Sequence, residues 1–272
     1  MNEESIPMEE IEAKHGERFY APGSFSEEIS AEMAAAVARA TNYTYSSWTD
    51  PGTGKTLYMI RTACSNIKPV DLNGQKLSSA GVYGVNACFF DGSMHKNIGM
   101  WNNQPIDTTA NRNAVGGGVL TWDGSSFQAW HYNEDVQIDD MSNPNSLRNV
   151  TNSKYLNWAQ GGIDFWFGKS DWTKENKQVP DYTASRCRTA VMGKLSTNYL
   201  YLIVCTGATA VQMRNAISAY HGINNTSSVH DPAWGGLMLD GGQSTQLRVP
   251  GTSVTDPNYR AVQGALTLIS TN

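Results

Sequence analysis

Short apolar runs, separated by Gly, Asn, Asp and Ser, dominate the chain from Tyr43 onward. The runs are a few residues long and rich in β-branched and aromatic side chains, which is typical of strands bounded by turns. Strands are predicted over Leu57–Ala63, Val82–Phe90, Gly118–Trp122, Phe127–Tyr132, Ile163–Phe167, Thr189–Met192, Tyr199–Cys205, Leu237–Leu239 and Ala265–Ile269.

Two segments carry helix signals instead. Ser24-Phe25-Ser26-Glu27 has the pattern of a capping box, and the strong helix formers of residues 30–40 follow it. Ala210–Tyr220 places its apolar residues on one stripe, and Gly222 supplies a stop at its C-terminal end.

The second helix lies between two predicted strands, Tyr199–Cys205 and Leu237–Leu239. A parallel crossover would bring Asp240, directly after the second strand, to the C-terminal edge of a sheet, where the ligand sites of α/β proteins gather. We therefore predict a single α/β (α+β) domain over residues 24–272, with a central mixed β-sheet and flanking helices. Residues 1–23 are predicted to be a flexible acidic lead-in.

Composition narrows the function classes. Charged residues make up 17% of the 272 residues, against about 25% in an average domain. The net charge is −5 and no cluster of Lys and Arg is present, so we expect no nucleic-acid partner. The chain has 8 Trp and 12 Tyr, which suit both a β-rich core and stacking on sugars. We expect most of them in the core.

Membrane and compartment signals are absent from the printed sequence. No apolar run reaches the roughly 20 residues that span a bilayer. The acidic start, Met1-Asn2-Glu3-Glu4, lacks the features of a signal peptide, so we expect a cytoplasmic protein, with a secreted or virion-associated protein as the alternative. The 4 cysteines show no short metal or redox spacing and are expected to be buried, reduced thiols.

One segment resembles a phosphate-binding loop. Asp50-Pro51-Gly52-Thr53-Gly54-Lys55-Thr56 ends like that motif, but Thr49 stands where the motif needs its first Gly. Strand-like residues precede and follow the segment, whereas a phosphate-binding loop must open a helix. We predict an exposed hairpin loop with no nucleotide-phosphate role.

The segment from Gly235 to Thr245 carries the strongest signal of a site. An apolar run leads to Asp240, and Gly241, Gly242, Gln243, Ser244 and Thr245 follow. Glycines let backbone N–H groups approach a ligand closely. By itself, an Asp before two glycines is as readily a turn former as a site residue.

Three further segments place polar side chains at the end or the start of a predicted strand, where a binding site can form. Val85-Asn86-Ala87-Cys88-Phe89-Phe90-Asp91-Gly92 ends a predicted strand with an amide inside it and a carboxylate at the turn. Ser185-Arg186-Cys187-Arg188-Thr189 begins a strand, and its alternation places Arg186 and Arg188 on the same side. Cys205-Thr206-Gly207-Ala208-Thr209 joins a strand to a helix and carries hydroxyls.

In order and spacing, these segments resemble the phosphodiester glycosidase domain family, which includes the uncovering enzyme of lysosomal glycans and many bacterial and phage proteins. The resemblance covers roughly residues 55–270. It is carried by Asn86-Ala87-Cys88-Phe89-Phe90, Arg188-Thr189-Ala190-Val191-Met192-Gly193, Tyr199–Thr209 and Leu239-Asp240-Gly241-Gly242-Gln243-Ser244-Thr245. Ala87-Cys88 and Gln243 stand where the family has glycines.

The resemblance implies a glycoside hydrolase that cleaves a sugar C1–O–phosphate linkage to a free sugar and a phosphomonoester, without a cofactor. Asp240 is then the first candidate for the carboxylate at C1 and Asp91 the second. Arg188 would hold phosphate, and Asn86 would bind phosphate or a sugar hydroxyl. The other predicted contacts to substrate come from Gly241, Gly242, Gln243, Ser244, Thr245, Thr209 and His230.

Other functions stay open at this stage. A non-catalytic module that binds phosphosugar polymers, for example in a phage tail, fits the same polar surface. A nucleotide-type substrate with a ribosyl–phosphate linkage is as admissible as a glycan or a teichoic acid. A cation bound by loop carboxylates such as Asp139 and Asp140 is undetermined, as is the oligomeric state.

Overall fold

The computed structural model describes residues 42–107, 117–131, 155–172 and 183–272. The predicted lead-in over residues 1–23, the helix predicted after Ser24, and Asp139 and Asp140 lie outside the described residues.

Strands account for about half of the described chain. They are β1 (Tyr43–Thr49), β2 (Thr56–Ala63), β3 (Ile67–Gln75), β4 (Gly84–Asn86), β5 (Phe90–Asp91), β6 (Met94–His95), β7 (Gly99–Trp101), β8 (Gln104–Pro105), β9 (Gly118–Trp122), β10 (Phe127–His131), β11 (Trp158–Asp164), β12 (Arg186–Lys194), β13 (Tyr199–Ala208), β14 (Trp234–Leu239), β15 (Gln246–Val249), β16 (Thr252–Thr255) and β17 (Val262–Leu268). The α-helix among the described residues is α1 (Ala210–His221), and short 3₁₀ turns cover Cys64–Asn66 and Gly242–Ser244.

The larger sheet has the order β1-β2-β13-β12-β14-β11-β7-β8, with β9 pairing β11 and β10 pairing β9. It curls into a half-barrel. A smaller sheet has the order β16-β15-β4-β17-β3, and β5 pairs β6 as a separate hairpin. Each recorded pairing between these strands is antiparallel.

The prediction of a helix-flanked α/β fold is therefore wrong. The strand–helix–strand unit exists, because α1 connects β13 to β14. However, β12 lies between those two strands and pairs antiparallel with both of them. The tight turn after Lys194 returns the chain directly into β13, so the sheet is built from antiparallel neighbours.

Both faces of the central strands of the larger sheet are buried, which explains their nearly continuous apolar runs. On β12, Val191 packs into the core shared with the smaller sheet, whereas Ala190 and Met192 pack into the core that contains α1. On β2, Ile60 and Met59 divide between the same two cores. Continuous hydrophobicity here reflects an antiparallel sheet covered by a second sheet and by a helix.

Several predicted elements are confirmed. The strand over Gly118–Trp122 has the predicted bounds, and the predicted helix extends over Ala210–His221. Gly222 ends α1 in the left-handed conformation, with φ 67°. The loop over residues 50–56 is a hairpin between β1 and β2, and Asp50 accepts hydrogen bonds from Gly52 and Thr53 inside it.

Other predicted strands are shifted. Within the run over Val82–Phe90, only Gly84–Asn86 and Phe90, the first residue of β5, form strands. The strand near Ile163 covers Trp158–Asp164, because the turn that follows places Trp166 at φ 45°. Among the described residues, no helix is long and apolar enough to cross a membrane.

Arg214 anchors α1 to this turn. It is 2% exposed, and its guanidinium donates to the carbonyl oxygens of Phe165, Trp166 and Lys169 at 2.7–2.8 Å. Burial lowers the pKa of Arg214 to about 10, although Asp164 opposes the shift. A charged donor therefore helps to satisfy three carbonyls of this turn, of which the Trp166 carbonyl also accepts from the Lys169 amide at 3.1 Å.

We expect Arg214→Met to lower the free energy of unfolding by about 3 kcal/mol, because it leaves buried carbonyl groups unpaired. Arg248→Met is the matched control, since Arg248 is half-buried, donates to the Val82 carbonyl and lies 4.6 Å from the centre of the Tyr83 ring; its cost should be about 1 kcal/mol. Urea denaturation measures both, and equal losses would show that Arg214 has no special anchoring role.

Candidate functional site at one edge of the larger sheet

Several chain segments that are distant in sequence meet at one edge of the larger sheet. Arg186, at the start of β12, lies opposite Ala208 at the end of β13. Leu239, at the end of β14, pairs with Thr189 of β12. The edge therefore combines the start of β12 with the ends of β13 and β14.

Asn86 joins this edge to the smaller sheet. Its side chain is 1% exposed; Nδ2 donates to the Asp240 carbonyl at 2.7 Å. Its Oδ1 accepts from Thr189 Oγ1 at 2.8 Å and from the Gln246 amide at 3.0 Å. Asn86 thus lies beside Asp240, as the sequence suggests, but these bonds fix the backbone of the site. Its predicted contact with substrate stays a prediction.

Asp240 is enclosed, with a side chain 14% exposed. Oδ1 accepts from the Gly241 amide at 3.0 Å, while Oδ2 is buried without a hydrogen-bond partner among the described residues. Burial raises the pKa of Asp240, and Ser244, Arg260 and the Gly241 amide only partly offset this effect. A carboxyl group of this kind can exchange a proton closer to neutral pH than an exposed one.

Arg260 is the cation that faces this carboxylate. Its Nη2 lies 3.8 Å from Asp240 Oδ2, and its Nε donates to Ser244 Oγ at 3.1 Å. The guanidinium also lies 4.6 Å from the centre of the Phe90 ring. The side chain is 51% exposed, so part of its hydrogen-bonding edge faces solvent.

Arg188 lies behind the Asp240 loop. A Cβ at position 241 would come within 3.8 Å of the Arg188 side chain. Arg188 is 5% exposed and donates to the carbonyls of Ala208 and Ala184 at 3.3 and 2.9 Å. These bonds hold the guanidinium inside the protein, and its predicted grip on phosphate stays a prediction.

The register of β12 against β13 shifts between Arg186 and Arg188, which lie opposite Ala208 and Cys205. The extra residue therefore belongs to β13, and the expectation that the two arginines share one side of β12 stays a prediction. Arg186 is exposed and lines a surface cleft, whereas Arg188 is buried.

The rest of the glycine segment forms a tight turn after Asp240. Gly242 has φ 60° and open space around it, and Gln243 is exposed. Ser244 and Thr245 are fully buried. Thr245 Oγ1 has no hydrogen-bond partner among the described residues. Thr209, at the edge of the sheet, instead caps α1 by accepting from the Gln212 amide.

Two predicted site residues have recorded contacts away from the Asp240 carboxylate. Asp91 is on the β5–β6 hairpin and pairs with Lys96 at 3.3 Å. His230 precedes β14, whereas Asp240 follows it, and its ring lies 6.1 Å from that of Trp166. Their predicted contacts with substrate stay predictions.

Sequence reasoning missed Arg260 because it stands alone between turn residues and no motif points to it. The loop after β16 folds back, and the Arg260 amide donates to the Gln243 carbonyl at 2.8 Å. Together with the bond from Gln246 Nε2 to the Arg260 carbonyl at 2.8 Å, this long-range contact brings the side chain to Asp240.

The four cysteines are buried free thiols. Cys88 lies beside His95, which is 1% exposed on β6. Burial lowers the pKa of His95, but Cys88, Asp107 and Asp71 outweigh it and raise the value to about 9. His95 Nε2 lies 3.5 Å from Asp71 Oδ1.

No group of three or more His, Cys, Asp or Glu side chains within the described ranges has the arrangement of a metal site.

Comparisons with known proteins find distant structural relatives. A hypothetical protein from Synechocystis matches with 10% identity and a TM-score of 0.49, over 85% of this chain and 62% of that one. The zebrafish N-acetylglucosamine-1-phosphodiester alpha-N-acetylglucosaminidase catalytic domain, auto-inhibited by its pro-peptide, matches with 14% identity and a TM-score of 0.45. That match covers 84% of this chain and 82% of the zebrafish domain.

The chain thus spans 62% of the length of the Synechocystis protein. No family model matches the chain, and no curated protein matches it.

Asp240→Asn should stabilise the protein at neutral pH. Because the folded-state pKa of Asp240 is raised, the ionised carboxylate lowers stability above that pKa, and the penalty disappears as the group becomes protonated at acidic pH. Thermal denaturation should therefore give a higher midpoint for the variant at neutral pH and converging midpoints in acid. A variant less stable than wild type at neutral pH would contradict the assignment.

His95 should add a pH-dependent contribution to stability. With its pKa raised to about 9 in the folded protein, the contribution is fully present below the ordinary value of about 6.5 and is lost as pH rises through 9. Urea denaturation at several pH values should show this loss, and His95→Gln should remove it. The same slope in both proteins would refute this role.

Proposed function

We propose that the protein is a hydrolase that cleaves a glycosyl-1-phosphodiester, with Asp240 as the catalytic carboxylate. One observation carries the proposal. Asp240, in the glycine segment that carries the family resemblance, is a buried carboxyl group of raised pKa, and Arg260 pairs with it from another segment. Carboxylates poised in this way serve glycoside hydrolysis.

Hydrolysis of a glycosyl-1-phosphodiester requires a base for the attacking water and a group that binds the leaving phosphate. Asp240 accepts a proton from the water whose oxygen attacks C1 of the sugar. The C1–O bond breaks and its electron pair leaves with the phosphomonoester. Because such a phosphate has a second pKa of about 6, it departs as an anion without a strong general acid. A base with a raised pKa takes the water proton more readily than an ordinary Asp.

Arg260 supplies the charge that the leaving phosphate needs. It is the guanidinium within ion-pair distance of Asp240, and half of it is exposed. A planar guanidinium can donate to two phosphate oxygens at once. In this proposal Arg260 takes the phosphate role that the sequence resemblance gives to Arg188.

Asn86 and Arg188 then act as positioning residues. Asn86 holds the Asp240 carbonyl at 2.7 Å, and Arg188 packs behind Gly241. Positioning by buried hydrogen bonds keeps the carboxylate in one orientation, on which catalysis depends.

A non-catalytic phosphosugar-binding module is the second candidate. The observation that favours it is the internal use of Asn86 and Arg188, two of the three predicted catalytic side chains, in buried hydrogen bonds. Binding without turnover would need only Arg260 and the exposed part of the glycine turn.

Asp240→Asn should lower kcat about 10²–10³-fold on chromogenic sugar-1-phosphodiesters, because the base that activates water is lost. It should also damage hydrolysis of aryl glycosides without phosphate. Arg260→Gln should raise KM and lower kcat for the phosphodiester alone. Steady-state kinetics on paired substrates with the same sugar measures both effects.

Asp123→Asn and Arg248→Gln are the controls for lost charge. Asp123 caps a surface turn through an oxygen that Asn retains. Both controls should keep wild-type kinetics. A wild-type kcat for Asp240→Asn on a confirmed substrate would refute the catalytic role and favour the binding module. A loss specific to the phosphodiester in Arg188→Lys but not in Arg260→Gln would assign the phosphate role to Arg188.

A further inference from the structure

A cleft of about 610 Å³ opens at the same edge of the larger sheet. It lies between the tip of the β1–β2 hairpin, the start of β12, the end of β13 and the segment after β16. Within the described part of the chain, its lining includes Cys187 but not Asp240, Arg188 or Arg260. The cleft adjoins the proposed catalytic site, because the Cys187 carbonyl lies against Gly241.

The described lining carries an excess of positive charge. Lys55 and Arg186 line the cleft together with one carboxylate, Asp256. Lys55 Nζ donates to the Gly207 carbonyl at 2.6 Å, which keeps the ammonium at the cleft. The Asp256 carboxylate already accepts from the Asn258 amide at 2.9 Å.

Neutral donors complete the lining. Ser185, Thr206 and Thr255 bring hydroxyl groups to the cleft. Gly54 and Gly207 also line it and have positive φ values of 67° and 61°. A Cβ at position 54 would meet nothing within 4 Å, so the backbone there is open to a ligand. Several donors around two cations match a group with several acceptor oxygens better than they match a carboxylate.

We propose that this cleft is a binding site for a phosphate ester, with Lys55 and Arg186 as its cationic ligands. Its volume exceeds that of a phosphate group and falls in the range of small-molecule sites, which leaves room for the alcohol part of the ester. The hairpin around Lys55 opens no helix, so this site differs from a nucleotide-binding phosphate loop. The site does not depend on hydrolysis at Asp240.

Cys187 provides a built-in reporter. It is 7% exposed and lines the cleft, whereas Cys64 and Cys205 are 0% and Cys88 is 1% exposed. In the native protein, iodoacetamide should therefore modify Cys187 first. A phosphate ester in the cleft should slow that reaction by covering the thiol.

The experiment follows alkylation of each cysteine by peptide mass spectrometry, with inorganic phosphate or glycerol phosphate as the probe and sodium chloride at equal ionic strength as the reference. We expect selective protection of Cys187. Lys55→Gln and Arg186→Gln should each weaken the apparent affinity about three- to fivefold, as expected for partly exposed charges. Lys194→Gln, at the other end of β12, should change nothing.

Protection should persist in Asp240→Asn, and that result would support the cleft site even if the hydrolase proposal failed. Protection no greater than that by chloride would overturn the proposal. Equal slowing at all four cysteines would also overturn it, because it would report general stabilisation. The proposal would also be overturned if Lys55→Gln and Arg186→Gln left the protection of Cys187 unchanged, as Lys194→Gln is expected to do.

Discussion

The buried amide of Asn86 is the interaction on which the functional edge of this protein depends. One side chain on the smaller sheet holds the Asp240 carbonyl, the Thr189 hydroxyl and the Gln246 amide. An unpaired polar group at this depth would be costly, so the two sheets are held in the one arrangement that satisfies it. The position of the Asp240 loop follows from that arrangement.

Burial then gives the edge its chemistry. Asp240 is enclosed by the same packing that fixes its backbone, and the enclosure raises its pKa. Arg260 relieves part of that cost from a half-exposed position 3.8 Å away. A buried carboxylate beside a cation that solvent can reach is the arrangement from which we propose a reactive group and a place for an anion.

The start of β12 takes part in two surfaces of the edge. Arg186 and Cys187 line the cleft with Lys55, whereas Arg188 is buried behind Gly241. The register shift at this point adds one residue to β13, opposite Cys187, and bulges of this kind are frequent next to functional sites.

The sequence alone determined the elements whose signals are local. The cap at Gly222, the hairpin over residues 50–56 and the bounds of Gly118–Trp122 depend on neighbouring residues, and the structure contains all three. The apolar run before Asp240 also predicted correctly that this residue follows the end of a strand. Tertiary structure alone decided that β12 separates β13 from β14, because strand pairing is a long-range choice that apolar runs do not encode. It likewise brought Arg260 to Asp240 and left Asp91 on a surface hairpin, since both outcomes rest on contacts between segments far apart in the chain.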